Sequence, residues 1–173
     1  NIYPDIQADF WNGDPDIDAI CRMEHMPECN FKKKYFPFYS NKISPFNSQN
    51  TFISSRILKN YFLFPHIGRM DDIWASFFVQ ACKAKVIYNS ASVYQKRNPH
   101  DLTVDMKKEY IGYESNYKIL SQIYNNPKSL FKLYNSLIMC CPVVPAPQII
   151  RWLLNFLMVV FIFCLLKKFL ILP

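Results

Sequence analysis

The sequence predicts an α/β fold of short strands packed with helices, followed by a C-terminal transmembrane helix. Three observations predict it. An apolar stripe at helical spacing, Ile73, Trp74, Phe77, Phe78 and Ala81, follows a glycine turn at Gly68. Short β-branched and aromatic runs, Thr51 to Ile53, Val86 to Tyr88 and Ser92 to Tyr94, alternate with helical patterns. From Ile149 to Leu166, 18 residues carry a single charge, Arg151.

Taken in order, residues 1 to 50 read as loop-rich, because Pro4, Pro15, Pro27, Pro37 and Pro45 interrupt them. Thr51 to Ile53 forms a short strand, and Ser54 or Ser55 caps a helix running to about Leu63. Pro65 to Gly68 turn the chain into the next helix, and Asp71 and Asp72 fall where caps and first-turn residues belong. Two short buried strands follow at 86–88 and 92–94. The next helix carries Met106, Tyr110, Tyr113, Tyr117, Leu120 and Tyr124 on one stripe, which reads as core. Pro127 opens a further helix with Leu130, Phe131, Tyr134, Leu137 and Ile138 inward, ended by Cys141-Pro142. Pro142, Pro145 and Pro147 stiffen the linker beyond it. The implied organisation is an α/β domain over 1–126, a helical extension over 127–141, a proline-rich linker over 142–148 and a transmembrane helix over 149–168.

A chain of 173 residues suits one domain with a real core. Its 51% hydrophobic and 17% aromatic content owes part of its excess to the C-terminal run. That run is at the short end for a spanning helix. Arg151 and Trp152 at one end and Lys167-Lys168 at the other suit membrane–water interfaces. The expected location is therefore a membrane, through a single C-terminal anchor. The net charge of +7 is scattered in small groups, and no nucleic-acid motif organises it. The six cysteines contain no Cys-x-x-Cys pair and no neighbouring histidines, which argues against structural zinc. Cys82 and Cys164 read as ordinary buried thiols, and Cys140-Cys141 as possible acylation sites. With three glycines, the chain has no phosphate-cradling glycine loop.

Four blocks carry a family resemblance. They are Phe10-Trp11-Asn12-Gly13-Asp14-Pro15-Asp16-Ile17-Asp18-Ala19, Pro45-Phe46-Asn47-Ser48-Gln49-Asn50-Thr51-Phe52, Gly68-Arg69-Met70-Asp71-Asp72-Ile73-Trp74-Ala75 and Met106-Lys107-Lys108-Glu109-Tyr110. In that order and spacing they resemble the C-terminal half of the reversibly glycosylated polypeptides (UDP-arabinopyranose mutases). The Asn-Ser-Gln-Asn-Thr segment is also similar to STELLO-type glycosyltransferases. The resemblance covers roughly residues 8 to 115. It implies the C-terminal portion of a GT-A-like domain, a nucleotide-sugar donor, a glycan or other hydroxyl acceptor, and a divalent metal, Mn²⁺ or Mg²⁺. The nucleotide-binding strands and main metal ligands of such a fold lie upstream of the matched segment, so the chain is expected to be the acceptor-side half of a longer enzyme. The arginine glycosylated in the mutases is upstream too, and mutase activity does not carry over.

Glycosyl transfer needs a neutralised leaving diphosphate and an acceptor hydroxyl that loses its proton as it attacks. By resemblance, Asp72 is the candidate base, or a sugar ligand if the configuration is retained, with Asp71 capping the helix or touching sugar. A helix N-terminus lowers a carboxylate pKa, which opposes a base role unless burial offsets it. Arg69 suits a phosphate or a partner carboxylate. Lys96 and Arg97 suit diphosphate oxygens, and Asn47, Gln49 and Asn50 suit sugar hydroxyls. Surface charge and polar turn residues would look the same. Asp14-Pro15-Asp16 spells Asp-x-Asp, yet its proline marks a tight polar turn. Asp18 belongs to the same block, and a capping role explains it equally well. Where the family completes its metal shell with an imidazole, this chain has Gln95, a poor ligand. His100, in the same loop, is the candidate substitute; a solvated loop histidine or a helix-start residue beside Asp101 is the ordinary alternative. The rival to an enzyme is a non-catalytic, membrane-anchored interaction module that keeps the fold without a donor site.

Overall fold

A computed structural model describes residues 3–140, with side chains through Tyr134. The chain divides into two compact units, 1–133 and 134–173, and the described part of the second is the end of one helix. The linker at 142–148, the apolar run at 149–168 and Cys141 and Cys164 lie outside the described residues. Among the described residues, no helix is long and apolar enough to cross a membrane.

The first unit is α/β, built on a mixed four-stranded sheet in the order β2-β4-β1-β3. The central pair is β1 (Ile6–Gly13) and β4 (Val86–Gln95), which run parallel from Ile6 opposite Val86 to Gly13 opposite Gln95. The register shifts between Asp9 and Trp11, one irregularity in an otherwise continuous ladder. On the edges, β3 (Thr51–Ile53) pairs antiparallel with the start of β1, and β2 (Phe38–Tyr39) pairs antiparallel with β4. Joining β1 to β4 in parallel requires a crossover, and helices supply it. They are α1 (Ala19–Glu24), α2 (Ser55–Leu58) and α3 (Asp71–Ala81), the last preceded by a 3₁₀ turn over Gly68–Met70. After β4 come α4 (Leu102–Ile123) and α5 (Ser129–Cys140).

The structure corrects several local expectations. Residues 1 to 50 are not simply loop-rich, since β1 is a central strand. Its alternation of Ile6, Ala8 and Phe10 with Gln7 and Asp9 is the period-two signal of a strand, and Ile6 and Ala8 are buried. The runs at 86–88 and 92–94 are one strand. Ser54 does cap α2, accepting a hydrogen bond from the Arg56 N–H, but the helix stops at Leu58. Cys82 is exposed at the C-cap of α3 instead of buried.

The largest correction concerns α4. Tyr110, Tyr113, Tyr117 and Tyr124 are exposed, and its buried face is Glu109, Gly112, Ser115, Ile119 and Ile123. Small residues are needed there because a turn approaches closely. Gly68 has φ +67°, and a Cβ on it would lie 2.2 Å from the Lys108 carbonyl oxygen; one on Gly112 would lie 2.3 Å from Met70 Sδ. Helix α3 is buried almost all round, because it has the sheet on one side and α4 on the other. Val79 belongs to the core cluster with Ile6, Ala8, Phe46, Val86 and Tyr88. Trp74, fully buried, donates its indole N–H to Asn116 Oδ1 of α4 at 2.8 Å.

The two glycine contacts should differ in cost. Gly68→Ala meets rigid backbone at a positive φ and should lower the unfolding free energy by about 2 kcal/mol or more. Gly112→Ala meets a flexible thioether and should cost about 1 kcal/mol. Urea denaturation of both variants checks the order, and equal costs would contradict this account of the turn.

Candidate functional site

Beyond the paired ends of β1 and β4, the chain turns at Gly13, whose φ is +89° and whose absent Cβ leaves room for the Gln95 carbonyl. The next residues form the polar turn that Asp14-Pro15 predicts. Asp14 Oδ2 accepts the Arg97 N–H at 2.9 Å, and its carbonyl accepts the Trp11 indole N–H at 3.2 Å. Asp16 is the centre of the site. Its Oδ2 accepts from Asn47 Nδ2 at 2.9 Å and Gln49 Nε2 at 3.3 Å, while Oδ1 pairs with Arg97 and, at 3.9 Å, with Arg69. Four expected site residues, Asn47, Gln49, Arg69 and Arg97, therefore meet on one carboxylate.

Arg69 holds two more carboxylates. Its Nε lies 3.0 Å from Glu109 and one terminal nitrogen 3.2 Å from Asp105, both on α4. Glu109 is almost completely buried, and it also accepts the Ala19 N–H at 2.8 Å and the Tyr113 hydroxyl at 2.6 Å. A buried carboxylate is tolerable only when paired and hydrogen-bonded in this way. Asp18 caps α1 by accepting the Cys21 N–H at 3.0 Å, the capping role left open by sequence.

His100 turns Nδ1 to Asp105 Oδ2 at 2.9 Å, just before Asp101 caps α4. Arg69 occupies the other oxygen of Asp105, so a guanidinium stands beside the place a cation would need. Among the described residues, no group of three or more His, Cys, Asp or Glu side chains could hold a metal ion. Lys96 is exposed, and Asn50 spans the sheet end, donating to the Phe10 carbonyl at 3.1 Å and Ser92 Oγ at 2.9 Å.

The two aspartates of the Asp-Asp block have separated roles. Asp71 Oδ1 accepts the Asp72 N–H at 2.9 Å, a local bond in the first turn of α3. Asp72 reaches across to the 47–50 turn, where its Oδ2 accepts from the Ser48 N–H at 2.8 Å and Ser48 Oγ at 3.2 Å. Burial pushes the Asp72 pKa up, the Ser48 bonds oppose the rise, and the Asp71 charge adds to it. Tyr61 stands in the same field. Burial, then the charges of Asp72 and Asp71, push its phenol well above the ordinary range, and its hydroxyl is buried without a hydrogen-bond partner. Its ring stacks on Phe46, with centroids 6.0 Å apart.

Beside this network a cleft of about 360 Å³ opens over β1, lined by Phe10, Trp11, Phe31, Phe46 and Tyr88 together with Asp9, Asp16, Asn47, Thr51 and Ile73. Asn47 and Ile73 are among its lining residues, and their chain neighbours Ser48 and Asp72 are bonded to each other. Sequence reasoning missed Ser48, Tyr61, Asp105 and Glu109 and treated Asp16 as a turn residue. Ser48 and Glu109 lie inside the four blocks. Tyr61 has no local signal, because its importance rests on a contact with residues a turn and a helix away. The chain matches no protein-family profile and no curated protein.

Two variants check these contacts. Arg69→Met leaves Glu109 buried without its cation and should destabilise by about 2–3 kcal/mol, with Arg69→Met/Glu109→Gln recovering part of the loss. Tyr61→Phe removes an unpaired buried hydroxyl and should leave stability unchanged or raise it by up to about 1 kcal/mol. Chemical denaturation reads both, and a loss above that range for Tyr61→Phe would reveal a native hydrogen bond.

Proposed function

We propose that this chain is the acceptor-side portion of a nucleotide-sugar-dependent glycosyltransferase with a GT-A-like domain, in which Asp72 takes the proton from the attacking hydroxyl. The observation that carries the reading is the convergence at the sheet end. Three of the resembling blocks supply Asp16, Asn47, Gln49 and Arg69 to one network, and the third also places Asp72 against Ser48 of the second. A base working near neutral pH gains from a raised pKa, which brings its proton affinity closer to that of the group it deprotonates. Asp72 has that shift despite its place in a helix first turn, because burial outweighs the bonds that lower it.

Arg69, Arg97, Asn47 and Gln49 act as positioning residues in this reading. They hold the turn over 14–16 and the 47–50 turn so that Ser48 can orient Asp72. Lys96, exposed beside them, is the cation left for a diphosphate. A divalent metal would neutralise the leaving group when bound. From this chain His100, which faces Asp105, is the candidate to help hold it. The rival, a membrane-anchored interaction module without donor chemistry, draws support from Gln95 and from two arginines already committed to carboxylates.

The test is Asp72→Asn in the full-length protein, assayed for transfer from a panel of nucleotide sugars. Transfer should fall about 100-fold or more. The fold should survive. A carboxylate whose native pKa is raised stabilises the fold in its protonated form, an advantage present below the ordinary Asp range and lost as pH rises through the raised pKa. The neutral amide should therefore be at least as stable as wild type at pH 7. Full transfer by a folded Asp72→Asn protein would exclude Asp72 as the base.

A further inference from the structure

We infer that the cleft over β1 binds an apolar body, so that the acceptor of the proposed transfer is an amphipathic alcohol whose hydroxyl end lies at Asp72 and whose alkyl or aryl end fills the cleft. The inference rests on the glycosyltransferase reading for the role of Asp72, and on the cleft alone for its ligand class.

A sugar ring is recognised by several polar groups aimed at its hydroxyls. Every nitrogen- or oxygen-bearing side chain that lines this cleft makes at least one bond within the protein, which reduces what it can offer a ligand. Asp16 accepts from Asn47 and Gln49 on one oxygen and pairs with Arg97 on the other. Asn47 donates to Asp16 and accepts the Gln49 N–H at 3.2 Å. Thr51 donates to the Asn47 carbonyl at 2.7 Å, and Tyr88 to the Ser44 carbonyl at 2.8 Å. Trp11 donates to Asp14, and Asp9 accepts from Gln7 at 2.8 Å.

The larger part of what the cleft offers a ligand is aromatic and aliphatic surface. Phe10 and Phe31 meet with centroids 4.5 Å apart, and Phe10 also lies 6.3 Å from Tyr88, a continuous wall rather than scattered rings. A volume of about 360 Å³ holds a short alkyl chain or one aromatic ring with room to spare. Of the lining residues, Asn47 and Ile73 are the chain neighbours of Ser48 and Asp72, which are bonded to each other, so an amphipathic molecule would place its hydroxyl toward that side.

The experiment holds the sugar constant and varies the aglycone. Methyl, hexyl and phenyl β-D-glucopyranoside are titrated into the full-length protein and binding is read by saturation-transfer NMR, which needs no turnover. Hexyl or phenyl glucoside should bind at least tenfold tighter than methyl glucoside, with saturation transferred to the aglycone protons, and the better of the two tells an alkyl source from an aryl one. Phe31→Ala, which removes a wall from a loop position, and Ile17→Trp, which fills the cleft, should each abolish that preference, with thermal unfolding confirming the fold. Equal affinity for the three glucosides, saturation confined to the sugar protons, binding to none, or a preference untouched in folded Phe31→Ala and Ile17→Trp would overturn the inference. Because these outcomes do not depend on transfer, they are independent of the Asp72→Asn result.

Discussion

The structure depends on how two arginines neutralise carboxylates at the end of the parallel strand pair. Asp16 and Glu109 are largely withdrawn from water, where charged groups need partners, and each has an arginine beside it. Arg97 follows β4 and Arg69 precedes α3, so the pairing that removes the electrostatic cost also fixes geometry. It holds the turn after β1 to the segment after β4, and the turn before α3 to α4. Asp72 lies three residues beyond Arg69 on a helix whose start is set by that clamp, and Ser48 lies one residue from Asn47, which is bonded to the same Asp16. The bond between Ser48 and Asp72 is thus a consequence of charges neutralised several ångströms away. Gly68 and Gly112 serve the same clamp by letting the Arg69 turn approach α4 closely enough for Nε to reach Glu109.

The sequence made some of this legible and hid the rest for identifiable reasons. The helix of Trp74 and Phe77 could be read because its apolar residues recur at helical spacing after a glycine, a local pattern. The strand β3 and the Ser54 cap were equally local. The central strand β1 was not read, because its pairing partners in β3 and β4 lie far along the chain and its interior is punctuated by Gln7, Asp9 and Asn12. The tyrosines of α4 show a different failure. Periodicity finds a stripe but does not say which side of the helix is buried, and here the inward side is built from Glu109, Gly112 and Ser115 because a turn and an arginine needed that space. At the site, the resemblance of the blocks pointed to Asn47, Gln49, Arg69 and the Asp-Asp pair, and the charge of the loop after Gln95 pointed to Arg97. Neither revealed that Asp16 gathers four of them, or that Tyr61 stands beside Asp72, since both facts are products of the fold.

Adjacent identical residues also came apart chemically. Asp71 spends an oxygen on the neighbouring N–H, a bond that any first-turn carboxylate could make. Asp72 crosses to another segment and is partly withdrawn from water, so burial dominates its titration and its neighbour's charge adds to the effect. The conflict foreseen between a helix N-terminus and a basic carboxylate is resolved in favour of burial. Tyr61 responds to the same pair. Burial first, and then the same two charges, push its phenol further above the ordinary range, so the two groups share one electrostatic environment.

Under the transferase proposal, the distribution of charge bears on which half of the reaction this surface fits. A diphosphate brings concentrated negative charge and needs unpaired cations. Here Arg69 and Arg97 are already bound to Asp16, Asp105 and Glu109, and the open side of the site presents Asp71 and Asp72. That leaves Lys96 as the nearby cation for a leaving group and suits a neutral alcohol beside Asp72. The adjacent cleft repeats the preference in its own terms, since its polar side chains are bonded inward and its free surface is aromatic. Electrostatics and hydrogen bonding, argued from different residues, favour the same occupant: an uncharged acceptor with one hydroxyl at Asp72 and little polarity behind it.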